Sequence, residues 1–203
     1  MIMANLDDVF SITAGFPGAF DPKKHRIEDE IPHLGISNLN LDGSFNLEVV
    51  NLAIQAKDLS LEINDVLIPT MGAALRNEES ALAFHLTEEV FLKHFVKDEK
   101  VALDKYLLRV RFKDIFQNKR PDLCSKALCC FINTLGIQAK IRSQMSSGTI
   151  QPVLSKKELA TLKIPHFGAM RESELLQFIQ LLESGERLKS RFDAHEHALE
   201  KTI

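Results

Sequence analysis

Leu135-Gly136-Ile137-Gln138, Ile141-Arg142, Ser147-Gly148-Thr149-Ile150-Gln151-Pro152, Leu154, Leu159 and Ile164-Pro165 mark a stop and a restart of regular structure. A helix ends at Gly136, a polar loop containing Gly148 follows, Ser155 opens a short helix, and an apolar segment closes on Pro165. The loop is crowded with side chains that can donate or accept hydrogen bonds: Arg142, Gln144, Ser146, Ser147, Thr149 and Gln151. Gly148 gives its backbone a freedom that a residue with a Cβ lacks.

Working outward toward the N-terminus, Pro121 to Leu135 sets Leu123, Ala127, Leu128, Phe131, Ile132 and Leu135 near helical spacing. Tyr106 to Phe112 alternates Leu108, Val110 and Phe112 with Arg109, Arg111 and then Lys113, which on a strand puts the bases on one face. Val66 to Gly72 reads as a compact strand ended by Pro69 and Gly72, entered through an Asn64-Asp65 turn. Ala81 to Leu86 and Glu89 to Val96 are further strand candidates, and Ile31 to Ile36 is another. Asn40 to Ser44 carries an Asp-Gly turn signal. Asn5 to Gly15 reads as a short helix or turn, a strand and a break, and Phe16 to Glu30 as loop. The expected class is α+β: one globular domain over residues 1–168 with a twisted mixed sheet and short helices, then a long coiled-coil-like helix over 169–203.

That last helix rests on an uninterrupted pattern. From Glu172 onward there is no Pro and one Gly. Phe178, Gly185, Phe192 and Leu199 fall seven apart, as do Leu181, Leu188 and His195, giving an imperfect heptad seam. Leu175, Leu176, Ile179 and Leu182 widen the stripe at the start, so that end packs on the domain. The seam makes Phe178, Leu181, Leu188, Phe192 and Leu199 the dimerisation candidates.

Composition narrows the class. Apolar residues make up 45% and charged residues 26%, a globular mix with no apolar run long enough for a membrane span. The first residues lack the basic and apolar regions of a signal peptide. Three cysteines, Cys124, Cys129 and Cys130, are too few and too close for a disulfide framework, which points to a reducing cytoplasm. The net charge of −3 is unevenly spread. Residues 1–92 hold 5 Lys/Arg against 15 Asp/Glu, residues 93–142 hold 12 against 5, and residues 143–203 hold 8 of each. The basic middle segment suits a phosphate backbone, with a solvated basic surface as the alternative.

Signatures of catalysis are missing. The chain has no Phe-x-Gly-x-Gly loop, no Asn/Asp-Pro-Pro-aromatic tetrapeptide, no P-loop and no GxGxxG. No Asp…Glu-x-Lys nuclease pattern falls on strands. His195 and His197 would point about 200° apart on a helix and cannot share one ion. Cys129-Cys130 lies in an apolar helical run and reads as buried packing. No cofactor and no metal are expected.

Several segments, in order, resemble the target-recognition domain of type I restriction–modification DNA specificity subunits. Leu6-Asp7-Asp8-Val9 to Ile12-Thr13-Ala14-Gly15 is similar to the opening of such a domain. Pro32-His33-Leu34-Gly35-Ile36-Ser37-Asn38-Leu39 with Asp42-Gly43 is similar to its next strand and turn. Asn64-Asp65-Val66-Leu67-Ile68 to Met71-Gly72 resembles the family's Gly-Asp-Val-Leu-Ile…Gly strand, with Asn64 in place of Gly. Tyr106-Leu107-Leu108-Arg109 resembles the strand before the domain's helix, and the stretch from Leu135 to Pro165 gives the most specific match. His166-Phe167-Gly168 to Glu172-Ser173 departs from the family's Pro-Leu-Pro-x-x-Glu-Gln entry to the long helix.

The resemblance implies a non-catalytic recognition subunit that binds double-stranded DNA beside an adenine methyltransferase subunit, with a motor-nuclease subunit as a further candidate partner. One domain and one helix imply half of a two-domain subunit, paired as a homodimer through the helix. On this reading Arg109, Arg111, Lys113, Lys119, Arg120 and Lys140 are the phosphate candidates. Arg142, Gln144, Ser146, Ser147, Thr149 and Gln151 are the base-reading candidates. The competing expectation is an assembly or regulatory protein derived from such a subunit that no longer reads DNA.

Overall fold

The alternation of Leu108, Val110 and Phe112 with Arg109 and Arg111 organises the molecule, because it divides one strand between two environments. The computed structural model describes residues 2–15, 30–40, 42–47, 51–54, 61–77, 80–96, 101–116, 119–144 and 153–185. In chain order the elements are β1 (Met3–Asn5), α1 (Leu6–Val9), β2 (Phe10–Ala14), β3 (Glu30–Leu34), β4 (Asn51–Ile54), β5 (Val66–Pro69), α2 (Ala73–Arg76), β6 (Phe84–His85), α3 (Glu88–His94), β7 (Ala102–Leu103), β8 (Leu107–Phe112), α4 (Pro121–Ile132), α5 (Leu135–Gln144), α6 (Lys156–Ala160) and β9 (Lys163–Pro165). A terminal helix, α7, covers 172–185.

The fold is α+β. Its centre is a four-stranded antiparallel sheet in the order β2-β8-β5-β6. Phe10 and Ile12 of β2, Val66 and Ile68 of β5, and Leu108, Val110 and Phe112 of β8 join a core with Ala127, Leu128 and Ile132 of α4 and Leu175 and Ile179 of α7. Leu67 and Leu107 point the other way, into a second core with Leu34, Phe84, Phe91 and Leu103. The mixed sheet expected from the sequence is resolved into three sheets. Among the described residues parallel pairing is confined to β3 with β7 in the order β4-β3-β7, and β1 pairs with β9 as a separate ribbon.

Two segments differ from their sequence reading. Glu89 to Val96 is not a strand, for α3 occupies it. Thr87 Oγ1 accepts from Val90 N at 3.2 Å, Glu88 and Glu89 fill the first turn, and Lys93 and His94 fill the last. Phe91 and Phe95, four apart, are the buried pair, and they form a ring contact at 5.3 Å. The helix read through to Gly136 stops at Ile132 instead. Asn133 turns its side chain onto the chain before β6: Oδ1 accepts from Leu82 N and Ala83 N, and Nδ2 donates to Ala83 O. A new helix starts at Leu135 with Gly136 in its first turn, where an added Cβ would meet nothing within 4 Å. Arg142 and Gln144 therefore stand on α5, not in a loop.

The restart holds as read. Ser155 caps α6: its Oγ accepts from Glu158 N at 3.2 Å, and Glu158 Oε2 accepts from Ser155 N at 2.7 Å. The turns at Gly43, Asn64 and Gly72 all carry positive φ.

Candidate functional site

Register places three strand termini together at one end of the central sheet. Ala14 of β2 pairs with Leu108, and Pro69 of β5 pairs with Leu107, so β2 and β5 finish where β8 begins. Gly15 N donates to Leu107 O at 3.0 Å, and Thr70 N donates to Tyr106 O at 2.8 Å. Gly15 is dictated by close approach, since a Cβ there would lie 1.9 Å from Asp104 O.

Arg142, on α5, and Leu154 lie toward the same end. Leu154 N donates to Thr70 O at 2.9 Å. Arg142 Nη2 donates to Asn77 O at 2.7 Å and to Ser80 O at 3.1 Å, while its Nη1 donates to Gln138 Oε1 at 3.0 Å. Residues 70–77 and 104–106, with Arg142 and Leu154, are thus gathered at one rim. Arg76, Asn77, Lys105, Tyr106 and Val153 are exposed there, and Lys105 Nζ sits 4.7 Å from the centre of the Tyr106 ring. Arg76, Lys105 and Tyr106 were absent from the residues selected by sequence. Their signal was positional: they flank the Gly72 turn and the start of a strand that alternates basic and apolar residues.

The other candidates occupy different places. Arg109 and Arg111 do share a sheet face, as their alternation requires, with Thr13 and Ser11 opposite them on β2. Arg109 is nonetheless only 9% exposed, and its Nη2 donates to Thr13 Oγ1 at 3.4 Å. Arg111 forms a two-pronged pair with Asp65, Nε to Oδ1 at 2.7 Å and Nη2 to Oδ2 at 2.8 Å, and also bonds Glu62. Burial pushes the fully buried Asp65 carboxyl up and the Arg111 hydrogen bonds pull it back. Burial works against the Arg111 guanidinium too, but its acidic partners hold it above its ordinary value. Lys113 Nζ donates to Asp7 O.

Lys119 and Arg120 lie at the foot of α7. Lys119 Nζ donates to Met170 O at 3.0 Å, and Arg120 bonds Asp122 and, at 3.2 Å, Glu172. Lys126 pairs with Glu183 at 2.9 Å. Phe178 packs on the domain, its ring 5.6 Å from that of Phe167 and 6.3 Å from that of Phe131, while Leu181 is 70% exposed. Lys140 is exposed on α5, and Gln144 is the last residue of that helix. Ser146, Ser147, Thr149, Gln151, Leu188, Phe192, Leu199, His195 and His197 fall outside the described residues. Among the described residues no cluster of three His, Cys, Asp or Glu could hold a metal, and no helix is long and apolar enough to cross a membrane.

No protein-family model matches the chain, and no curated protein matches it. Solved structures do. The HsdS subunit from Thermoanaerobacter tengcongensis aligns over 97% of this chain with a TM-score of 0.53 at 13% identity. A chain from a study of assembly and conformational transition in the type I R-M system aligns over 99%, again with a TM-score of 0.53 and 13% identity. The type IIG restriction endonuclease BpuSI aligns over 89% with a TM-score of 0.51 and 13% identity. The chain spans 39%, 41% and 26% of the lengths of these three. It therefore has the fold found in part of a type I restriction–modification S subunit.

Proposed function

We propose that the chain is a sequence-specific DNA-recognition module, without catalysis of its own, that directs a type I restriction–modification methyltransferase/endonuclease complex to a target half-site. The observation that carries this reading is the rim at which 70–77 and 104–106 meet Arg142 and Leu154. It is presented by the ends of a hydrogen-bonded sheet, in a fold shared with specificity subunits. A reading surface needs side chains of varied donor and acceptor character, and the sequence from Gln144 to Gln151 is rich in them. Gln144, Ser146, Ser147, Thr149 and Gln151 are the proposed base readers. Lys140 is the proposed phosphate contact carried over from the sequence, with Lys105 added from the structure. Arg109, Arg111, Lys113, Lys119 and Arg120 bond within the chain and are not carried forward in this proposal.

The proposed partners are double-stranded DNA, an adenine methyltransferase subunit and, through α7 and the residues after it, a second copy of this chain. Binding curves on target and scrambled duplexes test the reading. Gln144→Ala with Gln151→Ala should relax specificity, because each good base contact is worth about 1–3 kcal/mol of discrimination. Lys140→Ala should weaken both duplexes alike and reduce the slope of log affinity against log salt by about 0.9. Equal loss on both duplexes for the glutamine pair would confine that segment to positioning.

One observation favours the second reading, an assembly or regulatory protein that does not read DNA. Among the described residues, seven basic side chains of the central segment bond or pair within the chain itself. Absence of duplex binding at low salt, with the methyltransferase subunit present, would select it.

A further inference from the structure

The turn between β7 and β8 exposes its side chains and fixes its backbone. Asp104 O accepts from Leu107 N at 3.0 Å, and Asp104 Oδ1 accepts from Tyr106 N at 2.7 Å. The turn is also tied outward: Asp104 N donates to Leu34 O at 2.9 Å, and Tyr106 O accepts from Thr70 N at 2.8 Å. Gly15 closes against it as well, where a Cβ would lie 1.9 Å from Asp104 O. The two central residues, Lys105 and Tyr106, are nonetheless exposed, and Lys105 Nζ lies 4.7 Å from the centre of the Tyr106 ring. Arg109, Arg111 and Lys113, which follow on the same stretch, bond to Thr13, Asp65 and Asp7, whereas Lys105 meets an aromatic face. A surface cation–π contact is weaker than a charge-assisted bond to a phosphate oxygen and can yield to one.

We propose that this turn is a backbone clamp, in which the Lys105 ammonium and the Tyr106 hydroxyl hold one phosphate of duplex DNA and so set the register in which the rim meets the bases. The inference rests on the DNA-recognition reading above. Phosphate contacts fix position and orientation without reading sequence, and a tyrosine hydroxyl is among the donors that make them. A register contact must not move, and the hydrogen bonds of Asp104 and Thr70 hold both ends of the turn. Through Thr70, whose carbonyl accepts from Leu154 N, the turn is also joined to the rest of the rim. The ammonium over the ring and the hydroxyl at the ring's outer end are close enough to meet a single phosphate group.

The test compares wild type, Tyr106→Phe, Lys105→Ala and the double variant. Binding to target and scrambled duplexes is measured across a salt series with the methyltransferase subunit present. The hydroxyl carries no charge, so Tyr106→Phe should weaken both duplexes about tenfold, the worth of one hydrogen bond to a charged group, and leave the salt slope unchanged. Lys105→Ala should weaken both duplexes and lower the slope by about 0.9. Because the two donors share one phosphate, the double variant should lose less than the product of the single losses. A Tyr106→Phe variant that binds as wild type does, or a double loss equal to or above that product, would overturn the clamp. So would a loss by Tyr106→Phe confined to the target duplex, which would make the hydroxyl a base contact. Phenylalanine keeps the ring and the turn's backbone bonds, so this variant reports even if Lys105→Ala disturbs the turn. Should wild type bind neither duplex, the recognition reading falls and the clamp with it. Wild-type binding with Tyr106→Phe unaffected removes the clamp alone.

Discussion

At the scale of single residues, the fold turns on Asp65 and Arg111. Asp65 is fully buried and faces a guanidinium through two hydrogen bonds, whereas Glu62 meets the same guanidinium from a largely exposed position. Removing one partner of a buried pair strands a charge. Arg111→Ala, which leaves the Asp65 carboxylate buried, should therefore cost about 3–5 kcal/mol in urea unfolding, against about 0–1 kcal/mol for Glu62→Ala. Near-equal losses would show that the pair is not the anchor of the polar sheet face. His85 makes a second residue-scale prediction. Burial lowers its pKa from 6.5 to about 4, with Asp122 opposing and Lys126 assisting. The unfolded chain then takes up a proton that the folded chain refuses, so stability falls as pH drops from about 6.5 toward 4. His85→Leu should flatten that slope in a pH series of unfolding curves, and an unchanged slope would contradict the assignment.

At the scale of elements, legibility followed the source of each signal. The cap at Ser155, the glycine at 72 and the alternation along β8 act through neighbours in sequence, and each was readable there. The α3 helix was misread because Val90-Phe91-Leu92 is an apolar run of strand length, which outweighed the Thr87 cap and the Glu88-Glu89 first turn; the burial of Phe91 and Phe95, four apart, fits the helical period. The stop after Ile132 was misplaced because Asn133 ends the helix through bonds to residues fifty positions away. The same limit affected the basic candidates: the sequence shows that Arg111 and Arg120 are charged, but not that Asp65 and Glu172 hold them. This yields a prediction for α7. Lys119→Ala with Arg120→Ala should loosen its foot, read as faster amide exchange over 172–180, with no change in the salt dependence of DNA binding. A lowered salt slope would return both residues to the DNA surface.

At the level of the whole molecule, the proposed recognition rim and the proposed pairing helix lie on separate elements. Phe178 packs on its own domain while Leu181 is left exposed, so the seam proposed for pairing begins at Leu181 and runs to Leu188, Phe192 and Leu199. Phe192→Asp should convert a dimer to monomers in sedimentation. A wild type already monomeric at high micromolar concentration would remove the pairing. Whether the chain reads DNA sequence is decided by selection from a randomised duplex pool with the methyltransferase subunit present. A reader of sequence should enrich one short half-site, with that enrichment lost in Gln144→Ala/Gln151→Ala while bulk duplex binding persists. A pool that stays random for wild type would contradict that reading.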